Sequence, residues 1–292
     1  MLYKGDYIRQ ITPLTVDLDL ISKELFALTT SGSEEYCGTV IQRAVKELEW
    51  GQNEADMKLV YIAGNEEFTQ GSVSYKTAIA DALKKNIFVN TIHCGDEEIG
   101  VRDYWKDAAL RGNGKFFNIN ADATVRAIKT PFDPQIILCN NKLNDTYISY
   151  GSTGRERKMN QIAQDKNAGT ISSANYAERA VSKSGSAYKN TSWDLVDKMK
   201  EDQNVLLSIK KDELPQELQN KSTEEIKSII TQKEKERTAI QKEIAELAIK
   251  RQAYIEEQLK KEGDDSGDDL GKAITSSILT FANLKGYTVE AE

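Results

Sequence analysis

Acidic and amide side chains gather in three short loops of this chain: Glu34-Glu35-Tyr36 ahead of Cys37, Asn65-Glu66-Glu67 after an apolar run, and Asp96-Glu97-Glu98 after the next. Oxygen donors at this density ligate hard divalent cations or meet a basic partner, and they repel phosphate. The plainer role for the same residues is to cap helices and to solvate the rim of a sheet. A second chemistry is nucleophilic. Cys37 stands where a helix is predicted to begin, and His93, the single histidine, ends a strand-like run. A helix dipole lowers a thiol pKa, so the two residues form a candidate Cys-His pair for a cysteine-dependent hydrolase. Against it, a lone strand-end histidine and small apolar cysteines are commonly packed inside.

Other chemistries are excluded by count or spacing. One histidine and three scattered cysteines, Cys37, Cys94 and Cys139, cannot build HExxH or CxxC zinc sites or a disulfide scaffold. Gly112-Asn113-Gly114 and Gly151-Ser152-Thr153-Gly154 lack phosphate-loop spacing and read as turns. Trp50, Trp105 and Trp193 each lie on an apolar helical face, as core anchors do. With 39 Lys and Arg against 46 Asp and Glu, the net charge of −7 offers no basic excess for nucleic acid or anionic lipid. No run approaches the roughly 20 apolar residues of a membrane span, and no basic segment leads into an apolar stretch as in an export signal.

The elements that must position these loops alternate. Tyr7–Ile11 reads as a short strand. A helix from Asp17 follows, with Leu18, Ile21, Leu25 and Leu28 on one apolar face. A second helix runs from Cys37 to Trp50. Lys58–Ala63 and Ile87–Ile92 are continuous apolar runs, as in strands covered on both faces, with a helix over Tyr75–Lys85 between them. A helix over Arg102–Arg111 and a strand over Lys115–Ile119 follow. The pattern predicts an α/β fold with an open, mostly parallel sheet.

Residues 1–130 form the predicted sheet domain. Residues 131–221 read as an irregular or helical connector packed against it, with short helical pieces at Asn160–Asn167 and Ala174–Val181. Ser222-Thr223-Glu224-Glu225 is a capping box that opens a long charged helix to residue 262. Ile226, Ile230, Ile240, Ile244, Leu247 and Tyr254 share one seam of this helix, interrupted by Lys233, Arg237 and Arg251. The seam either folds back on its own chain or forms a homo-oligomeric coiled coil through 222–262. Residues 263–292 hold an acidic linker, Gly263–Asp269, and a short terminal helix over Leu270–Lys285.

In order and spacing, Asp17–Thr30, Glu35-Tyr36-Cys37-Gly38, Leu59–Gly71 (LVYIAGNEEFTQG), Val89–Asp96 (VNTIHCGD), Trp105 and Gly114–Phe117 resemble a bacterial branch of the von Willebrand factor A-like domain. Ala180–Asp197 and the charged helix are similar to the C-terminal extension of that branch. The resemblance implies a doubly wound, Rossmann-like fold and a non-catalytic module that binds protein partners. It also implies a metal-ion-dependent adhesion site holding Mg²⁺ or Mn²⁺. That site takes an Asp-x-Ser-x-Ser loop, a Thr from a second loop and an Asp from a third. Here the first loop, with the first strand and first helix, is missing. The Thr position falls near Glu35-Tyr36 and the Asp position at Asn65.

The resemblance therefore implies an incomplete site. Glu35 and Asn65 would give at most a weak metal site, and a cation would be held only if the missing loop were supplied. It also implies a start internal to a longer protein, whose missing part could carry an export signal, so the compartment stays open. The expected binding residues are Glu34, Glu35, Tyr36, Asn65, Glu66 and Asp96, and the expected role is a protein-interaction or scaffold module. The alternatives are the Cys37–His93 hydrolase and a purely structural, self-associating helical protein.

Overall fold

The computed structural model describes residues 2–4, 7–29, 34–119, 128–261 and 270–288. The chain is mixed α/β and falls into two compact units, the first from Met1–Thr15, Thr29–Val125 and Asp265–Glu292, the second from Val16–Leu28 and Arg126–Asp264.

In the first unit, β1 (Leu2–Lys4) and β2 (Tyr7–Arg9) pair antiparallel, with Tyr3 opposite Ile8. The principal sheet is parallel and three-stranded: β3 (Lys58–Gly64), β4 (Ile87–Cys94) and β5 (Asn113–Ile119), in the order β3-β4-β5. Central β4 is buried almost throughout, which explains its apolar run, and its polar residues Asn90 and Thr91 each satisfy a neighbour. The Asn90 side-chain Oδ1 accepts the Lys115 N–H at 2.9 Å and the side-chain amide donates to the Val60 backbone carbonyl at 3.2 Å, bridging the place where the β4–β5 register shifts. Thr91 donates its hydroxyl to the Trp105 carbonyl at 2.8 Å.

Helices of the second unit and the first unit alternate along the chain. α1 (Leu18–Phe26) belongs to the second; α2 (Cys37–Glu47), α3 (Tyr75–Lys84), α4 (Glu97–Arg102) and α5 (Trp105–Arg111) belong to the first. Ile41, Val45, Phe68, Ile79, Val89 and Trp105 make the centre of the first unit's core. Gly38 is required there: a Cβ would lie 2.0 Å from the Val73 carbonyl oxygen, so only glycine lets α2 approach this backbone. The helix expected over Arg102–Arg111 is two helices. Tyr104 takes a left-handed φ of 71° between them, where the Asp103 carbonyl accepts the Phe68 N–H at 2.9 Å.

The second unit holds α6 (Asp133–Asn144), α7 (Gly154–Ile171), α8 (Ser173–Ser184), α9 (Leu195–Glu201) and the long charged helix α10 (Thr223–Lys261). Its last helix neighbour in sequence, α11 (Leu270–Leu284), returns to the first unit, where Phe281 meets Phe88 with ring centroids 5.1 Å apart. The capping box is formed: Ser222 Oγ accepts the Glu225 N–H at 3.2 Å and Glu225 accepts the Ser222 N–H at 2.7 Å. The acidic linker Gly263–Asp269 lies outside the described residues.

The structure corrects one expectation and takes one side of two others. Of the two readings of 131–221, irregular or helical, the structure shows helices α6 to α9 joined by turns, and the second unit encloses polar side chains that blur their hydrophobic period. Gln161, Gln164 and Asp165 face inward on α7, and Asn140 faces inward on α6. The leucine face of α1 is not its buried face: Leu18, Leu25 and Leu28 are 37%, 61% and 41% exposed, whereas Asp19 is 2% exposed. Asp19 accepts from Arg179 at 2.5 Å and from the Tyr188 hydroxyl at 2.6 Å, and this network turns the helix.

The α10 seam takes the first of its two expected forms and folds back on its own chain, along α6, α8 and α9. Ile226, Ile230, Ile244 and Leu247 are buried on it. Arg237 and Arg251 interrupt the apolar pattern and are buried too, each with carboxylate partners. Arg237 binds Asp194 and Asp197 at 2.7 and 2.8 Å, and Arg251 binds Asp133 at 2.9 Å and also Glu178. A homo-oligomer through this seam would have to displace those contacts.

Candidate functional site

Two of the acidic loops, at Asn65–Glu67 and Asp96–Glu98, follow the carboxyl ends of β3 and β4, where open α/β sheets bind their ligands; the third, Glu34-Glu35-Tyr36, leads into α2. Glu35 is the residue that joins two of them. Its carboxylate Oε2 accepts the N–H groups of Asn65 and Glu66 at 3.0 and 3.3 Å, and its own N–H donates to Gln70 Oε1 at 2.6 Å. The carboxylate lies directly over Gly64, where a Cβ would stand 1.8 Å from Oε2. Burial pushes the Glu35 carboxyl above its ordinary value, and the two backbone N–H groups oppose that rise. The bonds are those of an acidic cap on exposed peptide donors, and they tie the loop before α2 to the loop after β3.

The other expected site residues are placed around this bond. Tyr36 donates its hydroxyl to Glu34 Oε2 at 3.1 Å, and its ring lies against Gly71, which has a φ of +89°. Asn65 donates its side-chain amide to Glu66 Oε1 at 3.3 Å, and the Glu66 carbonyl accepts the Trp105 indole N–H at 2.8 Å. Thus Glu35, Asn65 and Glu66 are brought together. Asp96 is not bonded to them; it caps α4 by accepting the Ile99 N–H at 3.1 Å.

These residues do not fit a divalent cation. The Glu35 carboxylate is engaged by peptide donors, Asn65 is neutral, and among the described residues no three His, Cys, Asp or Glu side chains stand together as a metal centre. The Cys-His geometry is equally unfavourable. Cys37 is 2% exposed, and burial, then the neighbouring Glu35 charge, pushes its thiol far above the ordinary value. Among the described residues no hydrogen bond links Cys37 to His93. His93 Nδ1 instead meets Asn118 Oδ1 at 2.8 Å, its ring lies 5.8 Å from that of Trp105, and a Cβ on Gly100 would stand 2.7 Å from it. It is a packed strand-end histidine.

Sequence reasoning missed Gln70 and Asn118, the amides that hold Glu35 and His93. Neither belongs to a recognisable spacing, and each meets its partner from a distant part of the chain. At the other end of β3 an open cleft of 720 Å³ is lined by Leu14, Trp50, Met57, Leu59 and Tyr287, with Asp56 and Lys58 the charged residues among the described ones. Among the described residues no helix is long and apolar enough to cross a membrane. No family model, no curated protein and no solved structure matches this chain.

Proposed function

We propose that the chain is a von Willebrand factor A-like, doubly wound module that binds a protein partner through its acidic sheet rim, without a cation and without catalysis. The observation that carries this reading is the Glu35 carboxylate. At the position where the resemblance would put a metal-binding threonine, it bonds the peptide N–H groups of Asn65 and Glu66. The rim loops are thereby held to one another by the protein itself. Around them Glu34, Glu67, Asp96, Glu97 and Glu98 are exposed, a concentration of negative charge suited to a basic protein surface. The parallel order β3-β4-β5 with intervening helices supports the fold side of the reading.

Calorimetric titration with Mg²⁺ and Mn²⁺ tests the metal side, with no saturable heat expected. Binding to a basic peptide array tests the partner side. Retention should fall as salt rises, and should be lost in the Glu67→Lys, Glu98→Lys double variant. Saturable cation binding, or retention indifferent to both salt and the double variant, would overturn the proposal.

A further inference from the structure

β3 is at the edge of its sheet, although its residues are those of an interior strand. Leu59-Val60-Tyr61-Ile62-Ala63 carries no charge and no proline, and β3 has β4 as its only strand partner among the described residues. The opposite edge is treated differently. β5 contains Asn113, Gly114, Lys115 and Asn118, and its ladder with β4 is broken by a register shift. Charge, glycine and a bulge are the devices that keep an edge from pairing, and β3 has none of them between its ends. Val60 and Ile62 are only partly buried against the core, and Ala63 is exposed.

β3 begins at Lys58, and Glu66 stands in the loop two residues beyond its end at Gly64. Among the described residues the Lys58 ammonium bonds only the Lys85 carbonyl, at 3.5 Å, and the Glu66 carboxylate accepts only from the Asn65 amide. Among the described residues neither has an ion-pair partner.

We infer that β3 pairs antiparallel with β3 of a second copy about a two-fold axis at Ile62, joining two three-stranded sheets into one. This register sets Ile62 opposite itself, the large Tyr61 opposite the small Ala63, and Val60 opposite Gly64. It brings Lys58 of each copy to the Glu66 end of the other. Opposed residues in a strand pair share a face, and here the core-facing Val60, Ile62 and Gly64 meet one another while Tyr61 and Ala63 meet on the reverse. A two-fold strand pair closes on itself, so the assembly stops at two. The inference rests on the β3 edge and not on the rim's reading as a binding surface.

The test is the solution mass of the full chain by light scattering over a wide concentration range, with hydrogen exchange read on residues 59–63. A concentration-dependent dimer is expected, with β3 amides slowed in the dimer. Lys58→Glu, which sets like charges opposite each other twice, should weaken the dimer by roughly tenfold or more. Adding Glu66→Lys should restore it. Both positions lie outside the apolar core, so these variants should still fold; Ile62→Lys should give a monomer. A monomer at every concentration, a mass that keeps growing, or a dimer whose β3 amides exchange freely would overturn the inference. So would a dimer indifferent to the charge swap.

Discussion

The Arg237 guanidinium bonds the Asp194 carboxylate at 2.7 Å with both side chains removed from water, at 2% and 0% exposure. The same guanidinium lies 4.0 Å from the ring centre of Tyr147 and donates to Thr146 Oγ1 and to the Thr146 carbonyl at 3.0 and 2.9 Å. Asp194 in turn accepts the N–H groups of Ile148 and Asp197 at 2.7 and 2.9 Å. One ion pair thus fastens α10, α9 and the segment after α6 together. Burial still pushes Asp194 above the usual carboxylate range despite Arg237 beside it. The pair is costly to bury and costlier to break.

Arg237→Met should therefore destabilise the protein by about 3–5 kcal/mol, because it leaves Asp194 buried without its cation. Asp194→Asn removes the charge but keeps an acceptor for only one of the two N–H groups, because Ile148 bonds Oδ1 and Asp197 bonds Oδ2. Combined with Arg237→Met it should cost less than the two single changes added together, by about 1–3 kcal/mol. Urea unfolding of the four proteins in the cycle measures this coupling, and strict additivity would show that the pair does not act as a unit.

Asp19 lies 160 positions before Arg179 in sequence and bonds it directly. Asp19→Ala should cost about 3 kcal/mol or more, since it also removes the acceptor of the buried Tyr188 hydroxyl. Hydrogen exchange should show α1 opening at a lower free energy than α8 in this variant. Unchanged exchange in α1 would mean that the helix is held by something other than this contact.

The parts of the fold legible in the sequence are those whose burial is apolar. Lys58–Ala63 and Ile87–Ile92 read as strands because nearly every side chain is apolar, and α2 because Ile41, Ala44 and Val45 repeat on one face. Arg237 and Arg251 misled the same method. Periodicity assigns every charge to the solvent, and these two are buried by carboxylates contributed from Asp133, Asp194 and Asp197, distant in sequence. Asp19 inverted α1 for the same reason. At the rim, Glu35 was visible as an acidic loop residue, but that its carboxylate would close on peptide N–H groups depended on the fold bringing Gly64 beneath it.

Gly38→Ala sets two effects against each other. Alanine favours a helix over glycine by about 1 kcal/mol. Its Cβ, however, would lie 2.0 Å from the Val73 carbonyl oxygen and 2.9 Å from the Tyr75 nitrogen, both backbone atoms. The clash should win, for a net loss of about 1–3 kcal/mol. A thermal unfolding midpoint equal to or above that of the parent would show that the backbone yields.

The thiols should separate by access. Cys37 and Cys139 are buried, and Cys94 is half-buried; burial raises all three pKa values. In the native protein at neutral pH, Ellman's reagent should react slowly, at Cys94 first, and all three thiols should react once urea unfolds the chain. Rapid, selective labelling of Cys37 would revive the nucleophile that the geometry disfavours.

Lys183 supplies a pH dependence of defined sign. It is 1% exposed beside Asp165, at 2.8 Å, and burial pulls its pKa down from 10.5 to about 8, against the pull of Asp165. Between these values the unfolded chain holds a proton that the folded chain has released, so stability rises with pH through this window. Below the folded value both states are protonated, and the cost of burying the ammonium is constant. The unfolding free energy of the parent should therefore climb relative to that of Lys183→Met from about pH 8 to about pH 10.5. Buried tyrosines titrating above their ordinary value, Tyr147 and Tyr188, are common to both proteins and cancel in the comparison. A flat difference across the window would mean that Asp165 keeps Lys183 charged throughout.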